Sequence, residues 1–441
     1  MRMKGFAVFI LSAVLLTLWI EGSVWAQEAQ QILTMEESIR IAMERSLTIH
    51  SDVVGIEGSE FRRKEAITNF LPLWQGQYNY TLYNSPVTIT LPFATASPGI
   101  ARNVFTFGTT VTQPVFTGGL NLSTYQKARI GVDISKMTLD TAKRDLVLQV
   151  RTGYFNILTT QKLLEVARQQ VKQFEAQLEV SRNYFDVGIV AKNDVLQAEV
   201  SLANAVQGQI SAENNVFLAK SSFNNLLRRD INTPFDVVDI LEYVPFPLSF
   251  ENSLDEALRR RPEIKNAQLN IDQAKEGVRT ARAGFFPTIS LIGAYNKVGE
   301  ELFLSGAYLN KERWSMQALA SVTLWNWGNT AFQVGENKVK VTQAEDAKTQ
   351  LAESITLEVK NDFLNMKVSE KNLDVSRKAI EQAEENLRMT EERYKYQVAT
   401  STDLVVAVTL LTQAKTNYYA SLGAFNISKV QLERAMGRMY P

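Results

Sequence analysis

The chain has 441 residues, with 47 lysines and arginines against 47 aspartates and glutamates, so no net charge favours nucleic acid or an acidic substrate. The absence of cysteine excludes disulfides, thiolate catalysis and Cys-ligated zinc. The single histidine, His50, excludes a His-rich metal site within one chain, and we interpret it as a surface or packing residue.

The N-terminal segment 1–26 has the pattern of a secretory signal peptide. Arg2 and Lys4 precede an almost wholly apolar run over residues 6–19, and small residues follow up to a cleavage position after Ala26. A membrane anchor is the alternative, but the run is short, and no later stretch reaches the roughly 18 apolar residues that a spanning helix needs. We therefore expect an exported protein, and one without an N-terminal lipid because no cysteine follows the cleavage site.

The remainder of the chain is an internal duplication. Segment 33–35 matches 248–250 at an offset of 215 (248 − 33), and further along the chain 115–119 matches 324–328 at an offset of 209 (324 − 115). The offset changes between the first and second strand of each repeat, which is where a surface loop tolerates a change in length. The duplication predicts a signal peptide at 1–26, a first repeat at 27–230, a linker at 231–247 and a second repeat at 248–441.

Each repeat opens with a helical segment, at 34–70 and 249–285, and Pro262 is expected to break the second of these near its start. After Pro72 the apolar period changes to two, with Trp74 on one face and Gln75 on the other. A membrane barrel with a polar lumen fits such strands, but a half-buried soluble sheet shows the same alternation, so the strands alone leave both open. Further apolar positions of this pattern are Tyr78, Tyr80 and Leu82; Phe105, Phe107 and Val111; Ile289, Leu291 and Tyr295; and Trp314, Met316 and Val322.

Two proline-free stretches, 120–185 and 330–396, predict helical rods of about 66 residues, or roughly 100 Å at 1.5 Å per residue. Each rod ends at a short turn, at 187–192 or 397–401, and a return helix of about half the length of the rod follows. Apolar residues recur at spacings of three and four along the first rod, as in a coiled coil. Hairpins of this length must pack side by side with other hairpins.

Two β-hairpins supply four strands per chain. A membrane barrel has no open edges and rarely fewer than eight strands, so closure demands more than one chain. The pattern therefore predicts an obligate oligomer with a barrel at one end and helical rods at the other.

These features resemble the TolC family of outer-membrane efflux proteins over essentially all of the mature chain. The shared motifs are a proline at each helix-to-strand junction, the segment 113–119 with its echo 323–328, and the tip sequence 182–196 with its counterpart 393–404. The resemblance implies an α+β membrane protein that trimerises into a 12-stranded β-barrel and an α-helical tunnel, located in the outer membrane with a large periplasmic portion. It also implies an exit duct for small molecules in tripartite efflux or type I secretion, opened by a periplasmic adaptor and an inner-membrane pump, with no cofactor.

The resemblance places both tip turns at the tunnel entrance. Asp403 matches an aspartate that lines the closed entrance, where three copies would form an anionic ring that favours cations. Asp194 and Tyr394 match residues of the network that holds the entrance shut. The family's prototype has a second aspartate where this chain has Val406, and an arginine where it has Ala399, so the lock is expected to be looser. The alternative for both aspartates is a helix N-cap.

The two tip turns are expected to contact the adaptor unequally, because the first contains a glycine and the second does not. A tight turn that needs the permissive backbone of glycine is the alternative interpretation. The residues of these turns are Val187, Gly188 and Ile189, and Gln397, Val398 and Ala399.

Three other functions fit this sequence less well than an export channel does. A secreted coiled-coil scaffold or adhesin without a pore would not need four amphipathic strands placed in duplicate between its helices. A diffusion porin would have many strands and short turns. An enzyme is disfavoured because the sequence contains no Ser-His-Asp set and no Gly-rich phosphate loop. The exported substrate stays open among drugs, metal ions, a signalling metabolite and a polypeptide.

Overall fold

The same order of helices and strands occurs twice along the chain. The computed structural model describes residues 31–85, 87–91, 94–306 and 311–438, so the predicted signal peptide lies outside the described residues. The first half consists of β1 (Gln31–Leu33), α1 (Met35–Arg45), α2 (Leu47–Thr68), β2 (Leu73–Leu82), β3 (Val87–Leu91), β4 (Ala94–Ile100), β5 (Asn103–Thr117), α3 (Leu120–Asp186) and α4 (Lys192–Leu226). The second half consists of β6 (Phe235–Val237), α5 (Phe250–Arg260), α6 (Pro262–Arg282), β7 (Thr288–Gly299), β8 (Glu312–Ser321), α7 (Asn329–Lys395) and α8 (Ser401–Ala435).

The predicted segment 34–70 is helical over most of its length, but it is divided at Ser46 into α1 and α2, and this break was not predicted. Ser46 ends α1 and also caps α2, where its side chain accepts a hydrogen bond from the Ile49 amide at 3.3 Å. Its counterpart in the second repeat is Arg261, which is followed by the predicted break at Pro262. A serine N-cap and an N-terminal proline therefore produce the same break by different means.

The sheet has the order β2-β5-β7-β8, and each neighbouring pair is antiparallel. The β2–β5 hairpin has the same register as the β7–β8 hairpin when the two offsets found in the sequence are applied. Trp74 pairs with Val111, and the corresponding residues Ile289 and Ala320 pair with each other. The longer loop of the first hairpin contains the β3–β4 pair, which was not predicted.

The register aligns all apolar strand faces on one side of the sheet, because cross-strand partners point to the same face. The predicted alternation is therefore confirmed within the strands, although Val322 lies just beyond the end of β8. The apolar face carries Trp74, Tyr78, Tyr80 and Leu82; Phe105, Phe107 and Val111; Leu291 and Tyr295; and Trp314, Met316 and Ala318. The opposite face carries Gln75, Gln77, Asn79 and Thr81; Thr106, Thr110 and Thr112; Asn296; and Ser315 and Gln317.

Both rods are unbroken helices of 67 residues, α3 and α7, and each is followed by a return helix of 35 residues. The predicted rods are confirmed. No helix in the described ranges contains an apolar stretch long enough to cross a bilayer.

The middle of the first rod is fixed to a short parallel pair, β1–β6, which lies partly in the segment predicted to be a linker. Tyr154 of α3 is fully buried, and its hydroxyl lies 3.0 Å from the Leu33 carbonyl and 2.9 Å from the Val238 carbonyl. Burial raises the pKa of Tyr154 to about 12. Such short strands with partners far away in the chain carry no periodic signal, so this pair was not predicted.

An ionic cluster around the buried Arg261 joins four helices near the C-terminus of α8. Arg261 contacts Glu358 at 2.6 Å and Glu263 at 2.9 Å, and Arg434 contacts Glu263 at 2.9 Å. Arg434 also reaches Asp145 of α3 at 2.6 Å. We call these five residues the clasp, because they join α3, α6, α7 and α8.

Asp362 of α7 lies within electrostatic range of the clasp. Burial raises its pKa to about 6, with a further contribution from Glu358, while Arg261 and Arg434 act in the opposite direction. Since the folded-state pKa exceeds the ordinary value of 3.8, Asp362 favours folding most when it is protonated. Its contribution to stability is therefore lost as the pH rises from about 4 through about 6.

We expect Asp362→Asn to remove the part of the pH dependence of stability that falls in this window. The variant should gain thermal stability relative to the wild type as the pH rises from 4 to 7, and the gain should level off above the pKa. Circular dichroism melts of the detergent-solubilised protein at stepped pH measure this. Asp346→Asn, at an exposed position of the same helix, is the control. Parallel curves for the wild type and Asp362→Asn would contradict the assignment.

Candidate functional site

The turns between α3 and α4 and between α7 and α8 lie at the same end of the molecule. Gln197 of α4 and Thr402 of α8 exchange hydrogen bonds, with the Nε2 atom donating at 3.1 Å and the threonine hydroxyl donating at 3.2 Å to Oε1. An apolar cluster joins all four helices behind the turns, and we call this region the tip. The cluster comprises Val171, Phe174, Ala205, Leu387, Tyr394, Leu404, Ala407, Val408 and Leu411.

Both rods end in the same backbone motif. The Ile189 amide donates to the Tyr184 carbonyl and the Gly188 amide to Phe185, which is the double hydrogen bond of a Schellman turn. In the second turn, the amides of Val398 and Gln397 donate in the same pattern. The left-handed position has φ +76° at Gly188 and φ +61° at Gln397. A non-glycine residue costs about 1 kcal/mol or more there, so the second turn stores strain that the first avoids.

Asp403 is the third residue of α8 and forms a capping box with the true N-cap, Thr400. The Thr400 amide and hydroxyl each donate to Asp403 Oδ2 at 2.8 Å, and the Asp403 amide donates to the Thr400 hydroxyl at 3.2 Å. These hydrogen bonds hold the pKa of the exposed Asp403 carboxyl below its ordinary value. The interpretation of Asp403 as the N-cap was therefore wrong, because Thr400 is the N-cap. The Asp403 carboxylate nevertheless accepts hydrogen bonds at the start of the helix.

Asp194 holds the same position in α4, but Ala191 is the N-cap there and no side-chain hydrogen bond caps the helix. The N-cap interpretation of Asp194 is therefore wrong. The pattern Thr-x-x-Asp before α8, against Ala-x-x-Asp before α4, already distinguishes the two aspartates in the sequence. Asp194 is half-buried, and no side-chain hydrogen bond caps its helix.

Tyr394 is buried in the apolar cluster of the tip. Its hydroxyl lies 3.5 Å from the Ser181 hydroxyl, and its ring lies 6.0 Å from that of Tyr184. The structure thus brings Tyr394 against α3 of its own chain. Within the described ranges, the side-chain hydrogen bonds of Tyr394 and Asp403 go to Ser181 and Thr400 and do not join the predicted gate residues to one another.

A polar contact that sequence reasoning missed joins the two hairpins. Gln177 of α3 is only 5% exposed, and its Nε2 donates to the carbonyl and the hydroxyl of Ser401 at 3.3 and 3.2 Å. Its Oε1 is buried without a hydrogen-bond partner in the described part of the chain. The available signal was a glutamine within a stripe whose neighbours, Phe174 and Leu178, are apolar.

The tip turns present apolar side chains to solvent. Val187 is 69% exposed and Val398 is 66% exposed, while Ile189 is exposed to a lesser degree. Ala399 differs from these residues because it packs against the apolar cluster. The two turns therefore share a backbone motif but present different surfaces.

Comparison with known proteins identifies the family. The sequence profile described as "Outer membrane efflux protein" matches residues 66–227 and 253–438, which is most of the chain. The chain belongs to the outer membrane efflux protein family. The two matched segments divide at 228–252, around the linker predicted from the duplication.

Individual relatives agree with this assignment. Outer membrane protein TolC of Escherichia coli (strain K12) is 24% identical over 77% of this chain and 71% of its own length. The crystal structure of CusC matches with a TM-score of 0.79 at 15% identity, over 92% of both chains. The CmeC outer membrane channel of Campylobacter jejuni matches with a TM-score of 0.76 at 18% identity, over 91% of this chain and 85% of its own.

The predicted family, fold class and outer-membrane location are therefore confirmed, and the chain is an outer-membrane efflux duct. The family is one of efflux channels, and it implies a trimer that works with the other parts of an efflux system. The roles of the gate residues and tip turns stay predictions.

Reciprocal exchange of the residues at the left-handed tip position tests the strain assigned to Gln397. Gln397→Gly removes about 1 kcal/mol of strain, so we expect the Val398 amide to exchange hydrogen about fivefold more slowly. The matched variant, Gly188→Gln, introduces the same strain in the other turn and should speed exchange at Ile189. Hydrogen–deuterium exchange with mass spectrometry measures both. Unchanged exchange in both variants would show that the turn conformation carries no strain.

Proposed function

We propose that three copies of this chain form the exit duct of a tripartite efflux or type I secretion system. In this proposal the sheets close into a barrel in the outer membrane, and the rods form a tunnel whose tips meet a periplasmic adaptor and an inner-membrane pump. One observation carries the proposal: a single chain combines a sheet whose aromatic side chains share one face with rods of roughly 100 Å whose ends are joined by hydrogen bonds.

The entrance is held shut by contacts between the two hairpins of each chain. Gln177 bonds α3 to Ser401 at the start of α8, and Gln197 bonds α4 to Thr402 one residue later. A sufficient displacement of the α7–α8 hairpin along the α3–α4 hairpin breaks both contacts, because Ser401 and Thr402 are adjacent. In this proposal the two glutamines serve the role of the arginine that the family's prototype has at the position of Ala399. Binding of the adaptor at the exposed turns favours the displaced state and so opens the tip.

The double variant Gln177→Leu with Gln197→Ala should open the channel. Each lost hydrogen bond is worth about 1 kcal/mol, so the ratio of open to closed channels should rise by about tenfold or more. Single-channel recording in planar bilayers measures the open probability. Gln207→Ala, at an exposed position of α4, is the control and should leave it unchanged. An open probability equal to that of the wild type would remove both glutamines from the gate.

Asp403 gives the entrance its negative charge in this proposal. Because the Thr400 hydrogen bonds lower the pKa of Asp403, its carboxylate stays charged at neutral pH, although the other two copies act in the opposite direction. Three carboxylates at the entrance attract cations and bind multivalent ones, which then block the pore.

Asp403→Asn should weaken blockade by a trivalent cation such as hexaamminecobalt by about tenfold or more in planar bilayers. In the wild type, blockade should persist at neutral pH and fade only on acidification towards the carboxyl pKa, since the group must be charged to act. Thr400→Ala is the matched control, because it breaks the capping box and keeps the charge. Equal loss of blockade in both variants would assign Asp403 a capping role only.

A further inference from the structure

The sheet of one chain ends in two strands, β2 and β8, each paired on one side only within the described residues. Lipid offers no hydrogen bonds to the open side of such a strand, so the sheet must close. In a ring of identical chains the contact is head-to-tail, and β8 of one copy meets β2 of the next. Four alternating strands make that contact antiparallel like the others. This step rests on the proposed trimer.

The duplication determines which residues meet in this contact. The first hairpin maps onto the second along its whole length, from Leu73–Thr112 onto Thr288–Ser321 to Leu82–Asn103 onto Lys297–Glu312. The two offsets between the repeats are therefore properties of the folded sheet as well as of the sequence. It follows that β5–β7, where the first repeat meets the second, is the template for β8 and β2 of the next copy.

We propose that β8 pairs with β2 of the next copy in the register that places Ala318 opposite Tyr80. The template pair is Thr109 and Tyr295. Ala318 is the equivalent of Thr109 in the second repeat, and Tyr80 is the equivalent of Tyr295 in the first. The adjacent template pair, Gly108 and Asn296, places Gln317 opposite Thr81 of the next copy.

The proposed register continues both faces of the sheet across the contact. On the apolar face, Met316 meets Leu82 of the next copy beside the Ala318–Tyr80 pair. On the polar face, Gln317 meets Thr81. A shift by one residue would place every side chain of β2 on the wrong face, so the aligned faces exclude the neighbouring registers.

A difference in length between equivalent strands agrees with a partner for β8 that the single chain lacks. β5 has 15 residues and β8 has 10, and residues 113–117 of β5 pair with β7 alone, with an irregularity between Pro114 and Phe116. The equivalent of that part is 322–326, which follows the end of β8 in the single chain. We infer that these residues become strand only when the next copy supplies the partner.

This extension brings together two exposed tryptophans. The template pair Phe116 and Ile289 maps to Trp325 and Trp74 of the next copy. In the single chain these side chains are 73% and 77% exposed, at opposite edges of the sheet. Cross-strand aromatic pairs stabilise sheets, and their pairing here covers both indoles at the helix-side border of the barrel.

Disulfide cross-linking tests the register, and the chain has no cysteine of its own to interfere. Directly opposed residues have Cα atoms about 4.5–5.5 Å apart, within disulfide reach, whereas diagonal neighbours are not. The double variants Ala318→Cys with Tyr80→Cys, and Gln317→Cys with Thr81→Cys, test two adjacent pairs. Thr109→Cys with Tyr295→Cys is the within-chain control, and Ala318→Cys with Leu82→Cys is the register-shifted control.

Mild oxidation of the full chain in outer membranes, followed by non-reducing gel electrophoresis, reads out the result. We expect at least one of the two test pairs to form dimer and trimer bands about tenfold faster than the shifted pair, while the control pair stays monomeric on the gel. Faster linkage of the shifted pair, or no linkage of either test pair in protein that is trimeric and conducts, overturns the register alone. Monomeric protein that never conducts overturns the proposed function as well.

Discussion

The backbone of a β-strand in lipid must find all of its hydrogen bonds within protein, and the organisation of this molecule depends on that constraint. Four strands cannot satisfy it alone, so the sheet of one chain is an arc with an apolar outer face and two open edges. The helices are not subject to this constraint. They satisfy their own backbone groups, so α3 and α7 can extend for 67 residues from the sheet without a partner strand.

Periodicity in the sequence predicted the elements that repeat a simple pattern. The strands, the rods and the duplication all followed from periods of 2 and 3.6 and from two constant offsets. The break at Ser46 was missed because a serine cap is a weaker sequence signal than the proline at its counterpart, Pro262. The β1–β6 pair was missed because its strands are three residues long and distant in the sequence.

The tip shows where sequence reasoning about a site fails. Asp194 and Asp403 occupy equivalent positions, yet only Asp403 is held by its N-cap, because Thr400 has an alanine as its counterpart. The contact between Gln177 and Ser401 joins residues from different repeats, so no comparison of one repeat with the other reveals it. The family resemblance identified which positions of this chain correspond to gate residues. The hydrogen bonds at those positions depend on neighbouring side chains, and those neighbours differ from the family's prototype.

The unbroken rods also act as lever arms. Tyr154, buried at the β1–β6 pair, and Gln177, at the tip, lie on one continuous helix about 35 Å apart at 1.5 Å per residue. Tilting that rod by about 5° around Tyr154 moves Gln177 by roughly 3 Å at this radius, which is enough to break its contact with Ser401. A small rotation of the rod at its middle is therefore sufficient to separate the hairpins at its end.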